Sequence, residues 1–147
     1  MVLPSKYLGA SLTDSVLKHS SWKELLDKLE NRLSLWTHQA LNLASHLVLV
    51  KSVLQAMPLY LFSMLAAPKW VLKAIRNLQR NFLWGGAKAR RKSALVNWQE
   101  VCTPKKAGGL GLRDPCLSNK VMGAKIWWHW VSNASSLWAQ MWAAKYA

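Results

Sequence analysis

The sequence predicts a mainly α-helical fold, with a Gly-rich basic loop and at most a short β element. Three observations carry that prediction. Apolar residues recur at helical spacing through most of residues 21–84. Gly85-Gly86 and the stretch from Pro104 to Pro115 separate two helical regions with loop chemistry. The 147 residues are 52% hydrophobic and 18% charged, so the chain can bury a core and the periodicity reads as packing.

The elements follow in order. Residues 1–20 read as extended. Ser21 and Glu24 fit a capping box opening a helix, because the Ser hydroxyl and the Glu carboxylate each satisfy an end N–H. Trp22, Leu25, Leu26, Leu29, Leu33 and Trp36 form its apolar stripe. Ser45 can cap a second helix through Met57, with Leu47, Val50, Val53, Leu54 and Met57 facing inward. Pro58 bends or ends it, and Leu59–Ala66 is a helical continuation.

A third helix starts near Pro68 and stops at Gly85-Gly86. Val71, Ile75, Leu78 and Phe82 are spaced 4, 3, 4. Lys69, Lys73, Arg76 and Arg80 repeat that spacing two residues earlier, or about 200° around the helix, so a basic ridge opposes the apolar one. Residues 85–118 read as a basic Gly/Pro-rich region, in which Ala94–Val101 is a short strand or a turn of helix. Gly108, Gly109 and Gly111 there permit positive φ. Residues 119–147 form Trp-rich helices, the first capped by Asn119 and the last by Ser135 or Ser136. Trp127, Trp128, Trp130, Trp138 and Trp142 read mainly as core, with stacking on unpaired bases as the sharper reading.

Charge and chemistry narrow the function. The net charge is +14, yet residues 1–30 hold four bases and four acids. Lys69–Arg113 holds eleven bases and one acid, Glu100. Such local charge points to a polyanion, and the bases of this region are the candidate phosphate contacts: Lys69, Lys73, Arg76, Arg80, Lys88, Arg90, Arg91, Lys92, Lys105, Lys106 and Arg113. The six acids do not cluster as a two-metal site requires, and His19, His38, His46 and His129 lack metal-ligand spacing. Neither enzyme activity nor a cofactor or metal is expected. Gly86 to Ser93 resembles a P-loop only superficially. Arg91 stands where backbone must close on phosphate, and a helix precedes it in place of a strand. No basic segment followed by an apolar run marks a secretory signal at the N-terminus, so the reading is intracellular, with the compartment unknown and mitochondrion and nucleus both open.

Several ordered segments resemble the C-terminal part of the reverse transcriptase of plant LINE-type (non-LTR) retrotransposons. Lys6-Tyr7-Leu8-Gly9 with Leu12 is similar to the family's Tyr-Leu-Gly element after the catalytic palm. Trp22 to Trp36, Leu41–Leu54, Pro58-Leu59-Tyr60, Asn81-Phe82-Leu83-Trp84-Gly85-Gly86 and Val96-Asn97-Trp98 follow in family order. Val101-Cys102, Pro104-Lys105, Gly108 to Asp114, Asn119, Lys125, Trp127, Leu137-Trp138 and Lys145-Tyr146 complete the set. The resemblance implies a helical thumb and the connection beyond it. Residues 1–20 would be a remnant of the palm edge and residues 21–84 a thumb-like bundle. Catalytic carboxylates would lie upstream of the matched region. The basic ridge and loop would contact the backbone of a template–primer. Ser45-His46 replaces the family's Gly-Arg, removing a cation and a hinge.

The expected function is therefore non-catalytic, sequence-independent binding of an RNA or DNA backbone. A second reading is a small membrane-associated or partner-disrupting plant mitochondrial protein, of the type linked to cytoplasmic male sterility. It rests on the apolar run Leu41–Ala67 and the basic flank Lys69 and Lys73. A third is a decayed reading frame without molecular function.

Overall fold

The computed structural model describes residues 5–7, 10–12, 19–37, 41–85, 96–133 and 135–146. The chain is mainly α-helical, as the periodicity requires. Its β element is an antiparallel pair at the N-terminal end, β1 (Ser5–Tyr7) and β2 (Ala10–Leu12), in which Lys6 faces Ser11. Residues 98–102 instead form a helical turn.

Helix α1 (His19–Thr37) buries Trp22, Leu25, Leu29 and Leu33, the stripe read from the sequence. It begins before the expected capping box, so Ser21 is already helical and Glu24 pairs with Lys28 one turn on, at 3.2 Å. Helix α2 (Leu43–Leu49) is capped by Asn42, not Ser45: the Asn42 Oδ1 accepts the Ser45 N–H at 2.8 Å. A π turn (Val50–Leu54) and α3 (Ala56–Phe62) continue the rod.

Pro58 therefore neither ends this rod nor stays at its margin; it is buried inside α3. Its ring removes the N–H that would bond the Leu54 carbonyl. The Gln79 side chain, fully buried, supplies a replacement donor to that carbonyl at 3.5 Å. The buried residues His46, Val50, Leu54, Pro58 and Phe62 recur every fourth position. A plain α-helix would carry such a row about 40° further round at each step. The π turn takes up an extra residue and offsets part of that drift.

Helix α4 (Lys69–Gly85) lies at the centre, packed on α1, α2, the π turn and α6. Val71, Leu72, Ile75, Gln79, Phe82 and Leu83 are buried, while Leu78 is only partly so. His46 fills the space between α2 and α4, its ring 4.8 Å from that of Phe82. Burial lowers its pKa below the ordinary 6.5, opposed by a hydrogen bond to the Leu83 backbone. His46 thus places a neutral ring in the core.

This burial has a pH consequence. A base with a depressed folded pKa binds protons more readily when unfolded. Its stabilising contribution is complete above pH 6.5 and declines as pH falls below that value towards the depressed folded pKa. The slope is at most about 1.4 kcal/mol per pH unit for one group. Urea melts between about pH 7.5 and 5 are expected to show this loss, and His46→Gln to flatten it. An equal slope in His46→Gln would refute the assignment.

Helix α5 (Trp98–Cys102) is capped by Asn97 and buries Trp98 and Val101. A 3-10 turn (Lys105–Ala107) follows, and the chain folds back on α5 through Leu110 N–H to Val101 O at 3.1 Å and Gly111 N–H to Thr103 O at 2.9 Å. Helix α6 (Pro115–Ser132) starts four residues before the expected cap. Asp114 caps it and Pro115 fills the first turn, where a missing N–H costs nothing. Asn119 serves elsewhere. It accepts from the Ala67 N–H at 3.3 Å and donates to Leu65 O at 3.2 Å, closing the α3–α4 turn. Helix α7 (Leu137–Tyr146) is capped by Ser136, whose Oγ accepts the Ala139 N–H at 3.3 Å.

The Trp-rich end departs from its sequence reading. Trp127 is 66% exposed and Trp128 73%, and Trp138 and Trp142 are also exposed. The reason lies in the pattern. Both helices are apolar around most of their circumference, so one packed side leaves large rings outside. The first half of α6 packs on the body of the fold through Cys116, Asn119 and Met122.

Candidate nucleic-acid interface

Two groups of cations come from different elements. On α4, Lys69, Lys73 and Arg80 are exposed and, with Asn77, share the outward face. Arg76 is turned into the seam with α6. Its guanidinium lies 2.8 Å and 2.9 Å from the two Asp114 oxygens and 3.3 Å from Cys116 Sγ. The bond to Asp114 raises the Arg76 pKa. Burial pushes the Asp114 carboxyl up, but bonds from Arg76 and the Cys116 N–H outweigh it and hold the pKa below 3.8. Arg76 therefore differs from its ridge neighbours in having its charge already matched.

The second group is carried by a strap, residues 110–114, laid across the helical rod and α4. Lys51 Nζ donates to Leu110 O at 2.6 Å, and Gln55 Nε2 donates to Arg113 O at 3.2 Å, one helical turn further on. Leu112 plugs into the core between them, and Asp114 ties the end to Arg76. The strap and the preceding turn present Lys105, Lys106 and Arg113 to solvent.

Lys51 was not legible as a site residue, because in sequence it stands inside an apolar run, 54 residues from Lys105. The fold brings both side chains to Gly111, where a Cβ would lie 3.5 Å from Lys105 Cγ and 3.8 Å from Lys51 Nζ. Desolvation and the charge of Lys105 both lower the Lys51 pKa. Two crowded ammonium groups of this kind are eased by an anion between them. The remaining site residues expected from sequence, Lys88, Arg90, Arg91 and Lys92, lie outside the described residues.

The nucleophile and metal inventories are short. Cys102 is half-buried, and desolvation, reinforced by Asp114, pushes its thiol up to about 11, the inert protonated form at neutral pH. Among the described residues no group of three or more His, Cys, Asp or Glu side chains could hold a metal ion. Also among the described residues, one helix, Leu43–Phe62, is long and apolar enough to cross a membrane by length and composition.

A cavity of about 540 Å³ opens between the end of α3, the second half of α6 and the start of α7. Met122, Ile126 and Trp138 give it apolar walls, and Lys125, His129 and Ser63 give it polar ones.

Comparison with known proteins places these features beside two plant sequences. No family model matches the chain, and no solved structure does. An Arabidopsis thaliana protein named "Putative ribonuclease H protein" is 35% identical over 130 residues, 88% of this chain. An uncharacterized mitochondrial protein of the same plant is 34% identical over 71 residues, 48% of this chain. The matched region spans 21% of the first relative and 46% of the second, so this chain corresponds to a minor part of either.

Proposed function

We propose that the chain is a non-catalytic, retrotransposon-derived module that binds the phosphate backbone of RNA or DNA without reading sequence. The observation that carries this reading is the exposed set Lys69, Lys73, Arg80, Lys105, Lys106 and Arg113, with Lys51 beside Lys105. Asp114, the acid nearest the strap cations in sequence, is taken up by Arg76. Residues 21–84 would act as the thumb-like bundle and residues 85–118 as the basic connection. Arg76 would position the strap and leave phosphate contact to its neighbours. The longer relative's name, a putative ribonuclease H protein, agrees with a retrotransposon-derived origin.

Salt dependence tests the proposal. Each phosphate neutralised contributes about −0.9 to the slope of log K against log salt on duplex. Anisotropy titrations with labelled RNA–DNA hybrid are expected to give a steep negative slope. Lys73→Ala with Arg80→Ala should lower that slope by about 2 and weaken unrelated sequences equally. A flat salt response, or no binding at low salt, overturns the proposal.

The apolar helix Leu43–Phe62 favours a second reading, membrane association. Lys51 argues against insertion, since a Lys near mid-span costs about 2.5–3.5 kcal/mol. Here its ammonium bonds the strap. Release of the protein by alkaline extraction of membranes would exclude insertion.

A further inference from the structure

We propose that the cavity between α3, α6 and α7 receives an unstacked base of a single strand, making this end of the molecule a single-strand site. The inference rests on the backbone-binding reading and adds the strand class. Three observations carry it. The cavity holds about 540 Å³, within the size range of small-ligand sites, and Trp138 forms part of its wall. Lys125 lines the same cavity, so one site carries both a cation and an aromatic ring, the combination that holds a phosphate and its base. Trp142, 47% exposed, holds its ring 5.9 Å from that of Trp138 and offers a second π-face next to it.

Charge selects the occupant. From Pro115 to the last residue there are three Lys and no Asp or Glu. A second copy of the chain would bring like charges together, whereas a polyanion would neutralise them. A lipid surface shares the negative charge but prefers a helix with one apolar side and one polar side. Helices α6 and α7 instead carry apolar residues around most of their circumference, and the wall containing Trp138 is concave.

The test uses the full chain and labelled oligothymidylate of about 12 nucleotides, a length within single-strand site sizes. The comparison probes are an abasic oligomer of equal length, duplex, free thymidine monophosphate and phosphatidylserine vesicles. The base-bearing strand is expected to bind more tightly than the abasic one. Trp138→Ala should weaken that strand by about 5- to 100-fold and leave duplex binding unchanged. Trp138→Phe, which keeps a ring, should restore most of the loss.

Equal affinity for base-bearing and abasic strands would overturn the inference, and that comparison needs no variant. So would free monophosphate binding as tightly as the strand, which would make this a nucleotide site. Loss of vesicle binding in Trp138→Ala with strand binding intact would make the face a membrane contact and overturn it too. Absence of binding to every nucleic acid would instead overturn the backbone-binding proposal itself.

Discussion

Gly109→Ala is expected to destabilise the fold by about 3 kcal/mol, near the upper end for inserting a methyl into a packed site. For a chain of this size that is a fall in Tm of about 10 °C. Gly109 is a matter of space. Gly108 and Gly111 have φ of 86° and 65°, values that suit glycine. Gly109 is not among the positive-φ residues, yet a Cβ there would overlap Thr103 Oγ1 and the Thr103 carbonyl and lie 2.7 Å from the Glu100 carbonyl. Two of these are backbone atoms already committed. Glu100 O accepts from Thr103 N–H at 3.1 Å and Thr103 Oγ1 at 2.6 Å, and Thr103 O accepts from Gly111 at 2.9 Å. Neither can retreat without opening the turn that feeds the strap.

The overlap also reaches the candidate interface. Opening the turn releases Leu110 from Val101 and loosens the seat of Leu112, so Lys105, Lys106 and Arg113 lose their fixed positions. Gly123→Ala supplies the control. Nothing lies within 4 Å of a Cβ there and the residue is inside α6, so the change should stabilise by about 0.5–1 kcal/mol. Thermal melts of both variants decide the matter. A Gly109→Ala protein as stable as the parent would mean that the turn is not packed as described.

Much of the fold was legible because it rests on local rules. The α1 stripe and the α4 stripe follow from period alone. The misreadings came where distant residues meet. Asn119 reads as a cap because Asn is a good one, but its amide serves the chain end at Leu65 and Ala67, more than 50 residues away. The Asp114-Pro115 pair was the better local signal for the start of α6. Gln79 carried no apolar signal, since its burial depends on a carbonyl freed by Pro58 on another helix. The exposed Trp residues violated a statistical expectation about cores. The site divides in the same way: the α4 ridge was readable from spacing, whereas Lys51 and the pairing of Arg76 needed the strap to be in place.

Asp114→Ala is expected to destabilise by about 2–3 kcal/mol, and it separates structure from binding at Arg76. The carboxylate has two duties. As the cap of α6 it accepts the Cys116 N–H at 2.8 Å, a role worth about 1 kcal/mol. As the partner of Arg76 it neutralises a guanidinium whose Nε is buried without a hydrogen-bond partner. Stripping a fully buried cation of its partner costs about 3–5 kcal/mol. The Arg76 side chain keeps 38% exposure, so solvent screening reduces that figure to about 1–2 kcal/mol. Asp114→Asn should retain most of the cap and lose the charge, falling between the parent and Asp114→Ala.

A double-mutant cycle with Arg76→Ala should then show a coupling of about 1 kcal/mol or more, because each single change leaves a partner stranded. Acid acts on the same pair. Asp114 has a depressed pKa, so its contribution is complete above 3.8 and lost as pH falls below that value. This window lies below the one assigned to His46. The binding assay supplies the contrast. Lys73→Ala should lower the salt slope by about 0.9 with little change in Tm. Arg76→Ala should lower Tm while leaving the slope near the parent value, since its charge is spent inside the protein. An Arg76→Ala slope reduced as much as that of Lys73→Ala would return Arg76 to the phosphate-contacting ridge and limit Asp114 to its capping role.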